Sequence, residues 1–319
     1  MVRLRHHRPD DDFTPDFEPQ QPGDADDEIR SPTRRQRARE KTMAVLPSLF
    51  TIANALCGFF AIFLASRPVD AKLPFEWTPL TYSALFIFTG MVFDALDGRI
   101  ARMTGQTSDL GEQLDSMSDM VTFGVAPAFL AVRLTVLNNT PFLSYQQDQY
   151  FDRAALIVAM IYVACTALRL ARFNVELENP EEKDHMTFKG LPSPGAAGTI
   201  ASLILLHQHF LARNNDPGTI GATSIGMVLI LLLVAIAMVS SLRYSHVMNR
   251  YVRGRAHFET IAMIVCVLLL LAIAPQKSLA AMLVIYALSA PVTWAYQRLR
   301  TGNTQVVDSA TDEEDAETG

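Results

Sequence analysis

At 319 residues with a formal net charge of -6, the chain is half hydrophobic and only 19% charged, against roughly 25% charged in an ordinary soluble protein. This balance points to a membrane protein and excludes a basic nucleic-acid binder, whose partner would be a polyanion. Three cysteines, Cys57, Cys165 and Cys266, are an odd number set inside apolar runs, which excludes a disulfide-built secreted domain and reads as buried spectator thiols.

Residues 1–44 and 298–319 together hold 16 of the 33 acidic residues. Over 1–33 an acidic run (Asp10, Asp11, Asp12, then Asp24, Asp26, Asp27, Glu28) alternates with Pro and Gln, a composition that buries too little apolar surface to offset chain entropy. Residues 1–44 therefore read as a disordered cytoplasmic tail, acidic and then basic. No secretory signal is read there, because a charged stretch precedes the first apolar run. The cluster Asp312, Glu313, Glu314, Asp315 and Glu317 makes 298–319 a solvated acidic tail.

Between them, residues 45–297 read as a transmembrane catalytic domain. Eight apolar stretches follow in order, 45–65, 78–97, 118–137, 154–172, 191–211, 218–241, 257–275 and 278–297, each near the roughly 20 residues a bilayer requires. The expectation is an all-α integral membrane protein with about eight transmembrane helices. Pro127, Pro192 and Pro194 make the third and fifth stretches the weakest spans. With the N-terminus in the cytoplasm, 17 Lys and Arg flank the helices on that side and six on the other. The positive-inside bias thus places both termini in the cytoplasm of a cell membrane, plasma or inner.

The run from Asp94 to Asp119 puts four carboxylates where a membrane helix should not want them. Asp94 and Asp97, spaced i, i+3, rise only about 4.5 Å along one face at the end of the second stretch. Asp115 and Asp119, spaced i, i+4, open the third. Asp109 and Glu112 between them have the form of a capping box that starts a helix, so a helical hairpin faces the two pairs toward each other. Four such charges repel unless cations neutralise them. Hard divalent ions prefer carboxylate oxygen, keep positions open for phosphate, and in pairs assist displacement at phosphorus. Gly98 and Gly111 let a bulky ligand approach the backbone, and Arg102 offers a fork to phosphate oxygens. The residues alone point to metal-assisted phosphoryl transfer at the membrane surface.

The pattern Asp94-x-x-Asp97-Gly98-x-x-Ala101-Arg102-x8-Gly111-x-x-x-Asp115-x-x-x-Asp119 resembles the signature of the CDP-alcohol phosphatidyltransferase family at every defined position. The segments 46–59 (LPSLFTIANALCGF), 122–128 (TFGVAPA), 167–175 (ALRLARFNV) and 190–198 (GLPSPGAAG) look like its phosphatidylserine synthase branch. The resemblance covers about 46–250 and neither tail. It implies a six-helix core, a homodimer, and a reaction of CDP-diacylglycerol with L-serine that yields phosphatidylserine and CMP. It also implies two divalent ions, Mg2+ or Mn2+, on Asp94, Asp97, Asp115 and Asp119. Asp119 is then the base toward the incoming hydroxyl, and Gly98, Arg102 and Ser108 contact the CDP moiety. Ser48 and Thr51 resemble a nucleotide-contacting segment, or cap a helix.

Arg169 and Arg172 have two readings, positive-inside anchors or partners of the serine carboxylate. Ser193 goes with them as a weaker substrate contact, for serine or lipid phosphate. His207 and His209, two residues apart, do not face each other and read as surface histidines. Two rival functions stand beside the serine reading. One is a transferase of the same family with another acceptor, such as glycerol phosphate, inositol phosphate or choline. The other, of a different class, is an ion-coupled transporter.

Overall fold

The computed structural model describes residues 34–68, 71, 73–104, 109–137, 145–178, 190–214, 217–242, 244 and 258–317. The chain divides into two units, Met1–Thr42 and Met43–Gly319. Of the first, residues 34–42 are described and are helical; the disorder expected for 1–33 lies outside the described residues. All that follows concerns the second unit.

Its regular structure, among the described residues, is entirely helical. Helix α1 (Arg34–Ala65) leads through a short 3-10 turn (Pro74–Glu76) to α2 (Pro79–Thr104). Pro79 stands at the first position of α2, where its missing N–H is not needed, and the Thr78 hydroxyl accepts the Thr81 N–H at 3.2 Å. Helix α3 (Asp109–Asp119) starts at the anticipated capping box and runs through a π-helical turn (Met120–Val125) into α4 (Ala126–Leu137). Then come α5 (Tyr145–Glu178), α6 (Ser193–Asn214), α7 (Pro217–Val239), α8 (Phe258–Ile273) and α9 (Pro275–Glu317).

Pro127 accounts for the π turn. It has no N–H to give the Phe123 carbonyl, and its ring crowds that oxygen. The ladder widens just before it, with the Ala126 N–H bonding Val121 O, and the Phe123 carbonyl receives the Tyr162 hydroxyl of α5 at 2.9 Å. Both Phe123 and Tyr162 are fully buried. The proline is thus absorbed inside a continuous span, Leu110–Val136.

Among the described residues, six helical segments are long and apolar enough to cross a membrane: Ser48–Ala65, Pro79–Ile100, Leu110–Val136, Gln149–Val175, Gly221–Val239 and Pro275–Tyr296. The stretches expected at 191–211 and 257–275 are helical as well, over Ser193–Asn214 and Phe258–Ile273. Helix α6 carries Thr199, Ser202, His207 and Gln208. It can do so because it is walled in by α2, α7 and α9, with Ala196, Ala197, Ile200, Ala201 and Ile204 wholly buried. Pro194, expected to weaken this segment, sits harmlessly in its first turn.

Packing is inside-out relative to a soluble bundle. On α1 the buried stripe is Thr51, Asn54, Gly58, Ala61 and Ala65, while Leu49, Leu56, Phe59, Phe60 and Phe63 are exposed, as expected where lipid is the solvent and small residues let helices approach. At the far end of α1, Arg133 Nε donates to the Ala65 carbonyl at 2.9 Å and Arg133 Nη2 to that of Arg67 at 3.3 Å. Phe75, Trp77 and Tyr82 cluster there with ring centroids 5.8 and 5.6 Å apart. Two expectations need correction. His207 is buried, not a surface residue, because α6 is central. The cysteines are unpaired, but only Cys57 is buried, Cys165 being half-buried and Cys266 exposed.

Candidate active site

The end of α2 and the polar face of α3 bring the predicted carboxylates together. Asp94, Asp97 and Asp115 each direct one oxygen into a group whose members all lie within 4.8 Å of one another. Like charges at that separation repel by about 3 kcal/mol per pair in a protein-like dielectric, so the arrangement requires a positive counterpart or bound protons. Asp97 Oδ2 and Asp115 Oδ1 are buried without a hydrogen-bond partner. Orphaned oxygens converging from two helices are the donor set a hard divalent cation takes, and the site fits one. Asp119, one turn after Asp115, lies outside that trio but interacts electrostatically with all three.

Helix α1 closes the site from the other side. Thr51 hydrogen-bonds the Asp97 carboxylate, as does the Gly98 backbone. The Asn54 amide donates to Asp119 Oδ1 at 3.1 Å. In return, Ser118 Oγ donates to the Thr51 carbonyl and Thr122 Oγ1 to that of Asn54, each at 2.8 Å. Thr51 is therefore a buried contact to the cluster. It does not cap a helix start, since α1 begins at Arg34, and the same holds for Ser48, which is half-buried on α1. Asn54, Ser118 and Thr122 escaped the sequence reading. The available signal was an amide inside an otherwise apolar run, spaced three residues from Thr51.

The second group of predicted residues forms at the junction of α5 and α6. Arg169 Nη1 donates to Ser193 Oγ at 2.9 Å, and Ser193, the first residue of α6, is 1% exposed. Arg172, one turn on, is exposed. Nearby on α5, the Asn174 amide donates to Ser116 Oγ at 2.9 Å and so ties α5 to α3. Arg102 lies on α2, but its side chain is outside the described residues, as is all of Ser108.

The family described as CDP-alcohol phosphatidyltransferase matches residues 44–239. The chain is similar to a Helicobacter pylori protein named CDP-diacylglycerol--serine O-phosphatidyltransferase, 26% identical over 254 residues, which cover 79% of this chain and 92% of the relative. Relatives of the same name come from Bacillus subtilis, 34% identical over 53% of this chain and 80% of theirs, and from Methanocaldococcus jannaschii, 32% identical over 63% and 73%. Because the family match spans more than half of the chain and contains all four aspartates with the helices that hold them, the chain belongs to the CDP-alcohol phosphatidyltransferase family.

Proposed function

We propose that this protein transfers the phosphatidyl group of CDP-diacylglycerol to the hydroxyl of L-serine, giving phosphatidylserine and CMP. The observation that carries the reading is the convergence of Asp94, Asp97 and Asp115 from two helices. Its support for serine as acceptor comes from relatives of that name over most of their length.

Asp94, Asp97 and Asp115, with Asp119 toward a second ion, would hold Mg2+ or Mn2+, which when bound neutralises diphosphate charge and polarises its P–O bonds. The protein's own groups do the rest. Gly98, Arg102 and Ser108 hold the CDP moiety, with Ser48 at its margin and Thr51 keeping the Asp97 carboxylate in place. Arg169 and Ser193 receive the carboxylate of serine, with Arg172 at the rim. Asp119 accepts the serine hydroxyl proton. The new bond joins the serine oxygen to phosphorus, the bond from phosphorus to the CMP oxygen breaks, and CMP leaves with that electron pair. The acyl chains of the donor stay in lipid along the exposed apolar faces. The excess of Lys and Arg in the flanks at this end supports a cytoplasmic site, with both termini on that side.

Detergent-purified protein, given CDP-diacylglycerol and Mg2+ or Mn2+ with L-serine, glycerol 3-phosphate, inositol phosphate or choline in separate reactions, is expected to release CMP with serine alone. A chelator should abolish release and lower the thermal midpoint, and re-addition of metal should restore both. Release with a different alcohol overturns the acceptor assignment. Full activity in Asp97→Asn or Asp119→Asn overturns the mechanism.

A further inference from the structure

We propose that Asn54 is a positioning residue whose side-chain amide, wedged between Gly90 and Thr122, holds one oxygen of Asp119 so that the other oxygen meets the incoming hydroxyl. The inference rests on the reading of Asp119 as the base.

Asn54 is 0% exposed, on α1, and its Nδ2 lies 3.1 Å from Asp119 Oδ1. Its own Oδ1 is buried with no hydrogen-bond partner. An asparagine retained for packing alone would find partners at both ends of the amide. Here the fold satisfies the donor and leaves the acceptor orphaned, so the donor is what the position requires. Turning the amide over would set two acceptor oxygens against each other at Asp119, which fixes its orientation.

The surroundings leave the amide no other place. A Cβ on Gly90 of α2 would fall 2.8 Å from Asn54 Oδ1 and 2.6 Å from Thr122 Cγ2. The missing side chain is thus the space the amide and the threonine methyl occupy. Thr122 in turn bonds the Asn54 carbonyl at 2.8 Å and stands three residues after Asp119, inside the π turn. Gly58, one turn after Asn54, lets the Thr122 backbone come close, since a Cβ there would meet Thr122 Cα at 2.7 Å. Three elements therefore lock the donor against the carboxylate, and a hydrogen bond to a carboxylate away from water is both strong and directional.

The test measures kcat and both KM values of the full-length protein, with thermal unfolding as the control for folding. Asn54→Ala is expected to lower kcat by about tenfold to a hundredfold, the usual effect of losing a group that orients an active-site ligand, with both KM values within about twofold of the parent. Gly90→Ala keeps every donor and acceptor but displaces the amide, and should reproduce that loss. In an Asp119→Asn background, adding Asn54→Ala should change the residual rate little, because groups that act as a unit are not additive. If Asp119→Asn is inactive while both Asn54→Ala and Gly90→Ala keep the parent kcat, the positioning role is overturned and the base survives. Losses that multiply in the double variant, or a raised KM at unchanged kcat, also overturn it. An active Asp119→Asn sinks the base reading itself.

Discussion

Arg169 and Ser193 meet across two helices, and the chemistry of that contact separates an anchor from a substrate group. A guanidinium offers five donors in a planar fork, of which Ser193 takes one. A guanidinium can give a serine carboxylate two parallel donors, which lysine cannot present. Arg169→Lys is therefore expected to raise the KM for L-serine about tenfold while leaving that for CDP-diacylglycerol near the parent value, measured as initial rates with each substrate varied in turn. An unchanged serine KM would make Arg169 a membrane anchor only. At this scale the four aspartates were legible because ionised groups stand out in an apolar run. Asn54 was not, since a neutral amide barely lowers hydropathy, and its importance lies in a partner 65 residues away. Nor could the sequence say that Thr51 serves the cluster rather than a helix end, because that depends on α1 starting as early as Arg34.

Among the elements, the π turn between α3 and α4 determines which way Asp115 and Asp119 face. A π turn contains one residue more than α-helix would use. Deleting Val121 would remove the extra residue, leave the Pro127 break in the ladder and turn α3 by about 100° relative to α4. The expected product is a folded, membrane-embedded protein with its carboxylate pairs out of register. Circular dichroism should be close to that of the parent, and CMP release should fall at least about a hundredfold. Retained activity would show that the turn is incidental. The start of α3 at Asp109 could be read from its capping box, but its polar first turns kept it out of the apolar stretch that begins at 118. The π turn itself has no periodicity signature. It follows from Pro127 only once Tyr162 is seen to take the carbonyl that the proline leaves unpaired.

In the molecule as a whole, the helical class and the end at which Asp94, Asp97 and Asp115 converge were legible, and six of the expected spans are long and apolar enough among the described residues. Hydropathy measures contact with lipid, and α6 makes little of it. Its polar residues are tolerated because neighbouring helices surround it, and its Ala196, Ala197, Ile200, Ala201 and Ile204 are wholly buried. The stripe of small residues on α1, rather than any contrast between an apolar and a polar side, marks the face turned inward, since both faces of such a helix meet apolar surroundings.

The contacts of Arg133 with the ends of α1 also set a depth. Its guanidinium takes the last carbonyl of that helix and the Arg67 carbonyl just beyond it, the chain then leads to the clustered Phe75, Trp77 and Tyr82 rings, and groups of this kind hold to the headgroup level. From there Ser48–Ala65 rises 18 residues, about 27 Å, to the end where the aspartates converge. The protein carries a ruler whose far mark is the reaction centre. In a bilayer thicker than the ruler the centre sinks below the level of the donor's diphosphate, and in a thinner one it stands above it. Reconstituted into phosphatidylcholines of increasing acyl length, the enzyme is expected to work fastest at an intermediate thickness and more slowly on either side. A flat profile would mean that lipid, rather than protein, adjusts at this boundary.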